Sequence, residues 1–72
     1  MNEMIVRDDN LLVGKVMKLV MTRSPNVVEL VEVLWIEHGL IRLRFLERTR
    51  RPVLWMPIVA VQELRETEGN AL

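Results

Sequence analysis

Apolar and polar positions alternate most cleanly over Leu40 to Arg48, where Ile41, Leu43 and Phe45 interleave with Arg42, Arg44 and Leu46. A period of two is that of a strand with one buried and one wetter face. The stretch before it, from Val28, is denser in apolar residues, and His38-Gly39 stands between the two. Together they predict a long hairpin over Val28–Leu46. A two-residue loop then pairs Glu37 with Leu40, Ile36 with Ile41, Trp35 with Arg42, Leu34 with Leu43 and Val33 with Arg44. That register puts Leu34, Ile36, Ile41 and Leu43 in the core and Val33, Trp35, Arg42 and Arg44 on the other face. It also sets Glu32 against Phe45 on the core face, so a bulge near Glu32, or an earlier strand start, is expected.

The flanking pattern supplies shorter elements. Met4–Arg7 reads as a strand closed by the turn formers Asp8-Asp9-Asn10. Leu11–Thr22 reads as another, with Gly14 suited to a bulge or to close approach of a neighbouring segment. Ser24-Pro25-Asn26 can be a turn, or it can cap a helix over residues 25–38, with Pro25 first and Gly39 past the end. The β-branched Val27, Val28, Val31, Val33 and Ile36 favour strand over that helix. Glu47–Pro52 is a basic loop and Val53–Met56 a short strand stopped by Pro57. Ile58–Val61 fits one tight turn, and Val61–Leu64 a last strand. The expectation is an all-β barrel of about five antiparallel strands over residues 1–65, with a helix at 25–38 as the main alternative. Residues 66–72 are expected to be a flexible tail.

This arrangement resembles the SH3-like barrels, and among them the small bacterial YodC-type proteins. Val13-Gly14-Lys15-Val16, Gly39-Leu40-Ile41-Arg42-Leu43-Arg44-Phe45, and Pro57 with Val61-Gln62-Glu63-Leu64 carry the resemblance. The chain departs from it at Ser24-Pro25-Asn26, where those proteins tend to have a glycine-rich turn. The resemblance implies a fold and no reaction. Val31 to Leu64 is also similar to the carbon storage regulators, which are small dimeric RNA binders. Their arginine-rich opening strand has no counterpart in Met4-Ile5-Val6-Arg7-Asp8-Asp9.

Half of the 72 residues are hydrophobic, more than one small barrel hides, which predicts a homo-oligomer, most simply a dimer. Ten basic residues balance ten acidic ones, so no overall field draws the chain to nucleic acid or anionic membrane. With no cysteine, disulfides, thiolate zinc sites and cysteine nucleophiles are excluded. No cofactor is expected, because Gly14, Gly39 and Gly69 are isolated and form no phosphate loop. The longest uncharged run, Pro52–Gln62, is too short to span a bilayer. A cytoplasmic protein without membrane contact is the expectation.

His38, the sole histidine, lacks converging partners and suits a hairpin tip where positive φ is needed. The candidate contact residues are Trp35, Arg42, Arg44, Arg48, Arg50, Arg51 and Trp55. Such a set fits a protein-contact surface. The alternative is an RNA or DNA interface, with the arginines on phosphates and a tryptophan stacking on a base. Zero net charge weighs against that interface and favours a solvated strand face and loop, with the arginines paired to Glu29, Glu32, Glu37 or acids of a neighbouring subunit.

Overall fold

The longest strand holds the molecule together because it is shared between two neighbours. The computed structural model describes residues 11–67. It contains β1 (Val16–Met21), β2 (Ser24–Glu37), β3 (Leu40–Phe45), β4 (Val53–Pro57) and β5 (Val61–Glu66), with a 3-10 turn at Ile58–Ala60 before β5. The strands form one antiparallel sheet in the order β4-β3-β2-β1-β5. Within β2, Glu29–Glu32 pair with β1 and Val31–Glu37 pair with β3. The domain measures 30 × 27 × 24 Å. A flat sheet would be a slab roughly 10 Å thick, so this one is rolled onto its apolar face. This is the all-β, barrel-like fold of five antiparallel strands expected from the sequence. The alternative helix at 25–38 is absent, since those residues lie in β2 and its turn.

One core fills the inside of the roll. Met17 and Leu19 of β1, Val31, Val33 and Ile36 of β2, and Ile41, Leu43 and Phe45 of β3 are buried there. Met56 of β4, with Val61 and Leu64 of β5, closes it. Burial at Val31, Val33 and then Ile36 breaks the period of two, and the register explains why. Val33 pairs with Leu43 but Trp35 pairs with Arg42, leaving Leu34 as an extra residue. The expected bulge therefore exists and sits at Leu34, two residues beyond Glu32. It moves Val33 into the core, takes Leu34 out of it, and sends Glu32 to the outer face opposite Arg44.

Other boundaries shift by small steps. Leu11–Gly14 form a turn, and β1 begins only at Val16. The Lys15 N–H donates to the Leu12 carbonyl at 3.0 Å, with Gly14 at φ 90° in the turn's third position. The Gly14 N–H donates to the Val33 carbonyl at 2.8 Å, and the Val33 N–H to the Lys15 carbonyl at 3.0 Å. Two residues thus face one, which is a bulge opened by a glycine with positive φ. A Cβ on Gly14 would meet nothing within 4 Å. Backbone conformation, not close approach, asks for glycine there.

Ser24-Pro25-Asn26 is neither turn nor helix cap. It opens β2, and the turn is Thr22-Arg23 just before it. Between the pairs Met21–Ser24 and Leu19–Glu29, Val20 alone stands against the four residues from Pro25 to Val28. β2 bows out there, which leaves Val27 and Val28 exposed. β3 ends at Phe45, short of the expected Arg48. β5 continues through Glu66, paired with Met17, one residue into the segment expected to be tail. The expected strand Met4–Arg7 and residues 68–72 lie outside the described residues.

Candidate functional site

Three strands place their outward side chains in a common grid. At the β2–β3 turn, His38 and Gly39 have φ of 51° and 76°. Positive φ at both central residues is the type I′ geometry that matches strand twist. It fixes Glu37 opposite Leu40, Ile36 opposite Ile41 and Trp35 opposite Arg42, as the sequence predicts. On the far side of β3, Leu40 faces Pro57, Arg42 faces Trp55 and Arg44 faces Val53. The outer face therefore carries three rows: Glu37–Leu40–Pro57, Trp35–Arg42–Trp55 and Glu32–Arg44–Val53.

The middle row is the centre of this surface. Trp35 is 45% and Trp55 43% exposed, a large apolar area to leave in water on a rigid sheet. The Arg42 guanidinium carbon lies 5.7 Å from the centroid of the Trp55 ring, within cation–π range. Arg42 stands opposite both tryptophans across the two ladders, and its cation–π contact is with Trp55. The backbone supplies a reason. The Phe45 N–H donates to the Pro52 carbonyl and the Ile58 N–H to the Gly39 carbonyl. Counting by twos between them makes Arg42–Trp55 a non-hydrogen-bonded pair, the kind whose side chains come closer. The indole N–H of Trp35 donates instead to Glu37 Oε1 at 2.9 Å.

The arginine cluster read from the sequence is dispersed. Arg44 Nε sits 3.5 Å from Glu32 Oε1 on the outer face. Arg48 lies past the end of β3, its guanidinium carbon 4.0 Å from the centroid of the buried Phe45 ring. Its Nη2 donates to Glu29 Oε2 at 3.2 Å. Arg48 is thus a lid over one end of the core. Arg50 and Arg51 stand exposed in the β3–β4 connection, Arg51 with φ 47°. Of the seven candidates, Trp35, Arg42 and Trp55 meet in one row with Arg44 beside them. Arg48, Arg50 and Arg51 do not join that row.

Sequence reasoning missed Leu40 and Pro57 as members of the face. For Leu40 the signal was present, since it alternates with Ile41 in step with Arg42 and Arg44. Pro57 required the β3–β4 register, which depends on the geometry of the intervening loop. His38 is at the hairpin tip, as expected, 3.8 Å from Glu37 through Nδ1, and largely exposed. Two shallow hollows of about 380 and 370 Å³ lie away from the tryptophan row. The first contains Lys15 ion-paired to Glu66 at 3.3 Å, and the second is bordered by Lys18, Glu63 and Arg65. Among the described residues, no group of three His, Cys, Asp or Glu side chains gathers to hold a metal ion. No helix among them is long and apolar enough to cross a membrane. No family model matches the chain, and neither a curated protein nor a solved structure does.

Proposed function

We propose that this protein is a small non-catalytic interaction module that works as a homo-oligomer, with the outer face of β2, β3 and β4 as its contact surface. The observation that carries this reading is the row Trp35–Arg42–Trp55, two half-exposed tryptophans flanking one arginine. Tryptophan and arginine are the residues most enriched where interfaces concentrate their binding energy. Leu40 and Pro57 extend the apolar area on one side, and the Glu32–Arg44 pair borders it on the other. The rival nucleic-acid reading is weakened because Arg44 and Arg48 already face Glu32 and Glu29. A phosphate-tracking surface needs uncompensated charge.

The test is molar mass by light scattering across the micromolar range, on the wild type and on Trp35→Ala with Trp55→Ala. A mass above the monomer that falls in the double variant supports the module. A wild-type monomer throughout overturns its homo-oligomeric part. A fluorescent single-stranded RNA or DNA pool is the counter-test. Binding with a steep salt dependence, lost in Arg42→Glu with Arg44→Glu, would move the function to nucleic acid.

A further inference from the structure

Among the described residues, β4 ends the sheet on one side, and its backbone pattern can be read from the bonds that frame it. Phe45–Pro52 and Gly39–Ile58 are hydrogen-bonded pairs, and β3–β4 pairing keeps one register between them. In an antiparallel ladder the hydrogen-bonded pairs alternate with the others. Leu54 and Met56 therefore turn their N–H and C=O groups toward β3, while Val53, Trp55 and Pro57 turn theirs to the open edge. That edge offers N–H donors at Val53 and Trp55 only, since proline has none. Pro52 and Pro57 bracket it, and no residue between them is charged.

We infer that the homo-oligomer is a two-fold dimer in which β4 pairs antiparallel with β4 of a second copy, with Trp55 on the axis. This rests on the homo-oligomeric reading above and adds where the seam runs. The edge is self-complementary about Trp55, the middle residue of the strand. Each Trp55 N–H meets the Trp55 carbonyl of the second copy, and each Val53 N–H meets the Pro57 carbonyl. The missing proline N–H falls at the ends of the seam, where the Val53 carbonyl is open to water. An exposed edge without charge is a template for another strand. The prolines limit the pairing to this one short strand and so favour a closed dimer.

The side chains agree with the backbone. On the outer face the two Trp55 rings become direct cross-strand neighbours, an aromatic pair of the kind that stabilises sheets. Each exposed tryptophan row then runs on into the other. The two Arg42 side chains lie three strand spacings apart, about 14 Å. That exceeds the screening length of about 8 Å at physiological salt, so their repulsion does not oppose the seam.

Sedimentation equilibrium on the whole chain tests this with Val53→Pro, which removes an edge-facing N–H that β3 does not use. Two symmetry-related hydrogen bonds are lost, and the expected result is roughly thirtyfold weaker dimerisation. Circular dichroism checks that the fold is kept, and Gln62→Lys on β5 should leave dimerisation unchanged. The chain has no cysteine, so Trp55→Cys and Gln62→Cys each supply a single thiol for a short bis-maleimide. Cross-linked dimer at position 55 and none at 62 supports the seam. A dimer that tolerates Val53→Pro and links through position 62 overturns the seam while the module reading stands. A wild type that stays monomeric sinks both the seam and the homo-oligomer.

Discussion

Among the described residues, β4 and β5 end the same sheet on opposite sides, yet their sequences treat the edge differently. β4 reads Val-Leu-Trp-Met-Pro, without a charge, and a proline stands just before it. β5 reads Val-Gln-Glu-Leu-Arg-Glu, and Arg65 bridges Glu63 at 3.2 Å. Charged side chains on an edge strand discourage a neighbouring strand, because pairing would bring them together and strip their water. β5 is charged over Glu63–Glu66, whereas β4 is limited in length and uncharged throughout. Of the two edges, the one that also carries Trp55 is therefore the one suited to accept another strand.

Both edges hang on one core, and the largest expected effect tests that. Leu43 in β3 beside β4 and Leu19 in β1 beside β5 are both fully buried. Replacing either with alanine should cost about 3 kcal/mol, a drop in Tm of roughly 15 °C or more for a domain this small. In dilute protein the two losses should be similar. Thermal melts at several protein concentrations sharpen the comparison. A dimer seam on β4 makes Tm rise with concentration in the wild type. A mild Leu19→Ala would show instead that the β5 side is not part of the same cooperative core.

Next in size is a change of assembly. Glu63→Thr, Arg65→Thr and Glu66→Thr together remove the charges of β5 and leave residues suited to a strand. A molecule with two open edges can add copies at both, forming chains instead of a closed dimer. Light scattering should show mass that keeps growing with concentration. A mass no different from the wild type would mean that charge is not what separates the two edges.

The hairpin, its turn and the pairing of Trp35 with Arg42 were legible because alternation and a two-residue loop determine a register locally. The site of the bulge was not. Glu32 against Phe45 showed that one residue had to be extra, but any residue between Glu32 and Leu34 would have relieved the conflict. What singles out Leu34 is the other neighbour of β2. Val33 is bonded through both its N–H and its C=O to the Gly14–Lys15 bulge of β1, so it cannot be the residue pushed out. That constraint joins positions 14 and 33 across the fold and leaves no periodic trace. The lid made by Arg48 was hidden in the same way, since it depends on Glu29 reaching the same end of the core. The row's third member, Trp55, needed the β3–β4 register.

The glycines that set these registers give a smaller, paired test. Gly14 opens the bulge between β1 and β2, and Gly39 completes the β2–β3 turn and accepts from the Ile58 N–H after β4, at φ of 90° and 76°. Neither has an atom within 4 Å of where a Cβ would stand, so alanine meets only the backbone penalty. That penalty is about 1–2 kcal/mol at each position, measurable as a loss in denaturant midpoint without a change in slope. If Gly39→Ala also weakens dimerisation while Gly14→Ala does not, the register of the β4 half is tied to the seam.

The smallest effects separate the arginines that the sequence grouped together. Glu32–Arg44 lies in the row that ends on β4, and Lys15–Glu66 ties the start of β1 to the end of β5. Both pairs keep much of their side-chain surface in water, so Arg44→Ala and Lys15→Ala should each change stability by no more than about 0.5 kcal/mol. Arg48 also pairs with a carboxylate, but its guanidinium covers the Phe45 ring and shields that end of the core. Arg48→Ala should therefore cost more, about 1 kcal/mol, and lose little of it in high salt because the stacking part is not screened. Urea titrations at low and high salt read the order directly. A loss at Arg48 no larger than at Arg44, and equally abolished by salt, would return Arg48 to the solvated surface and to the basic patch.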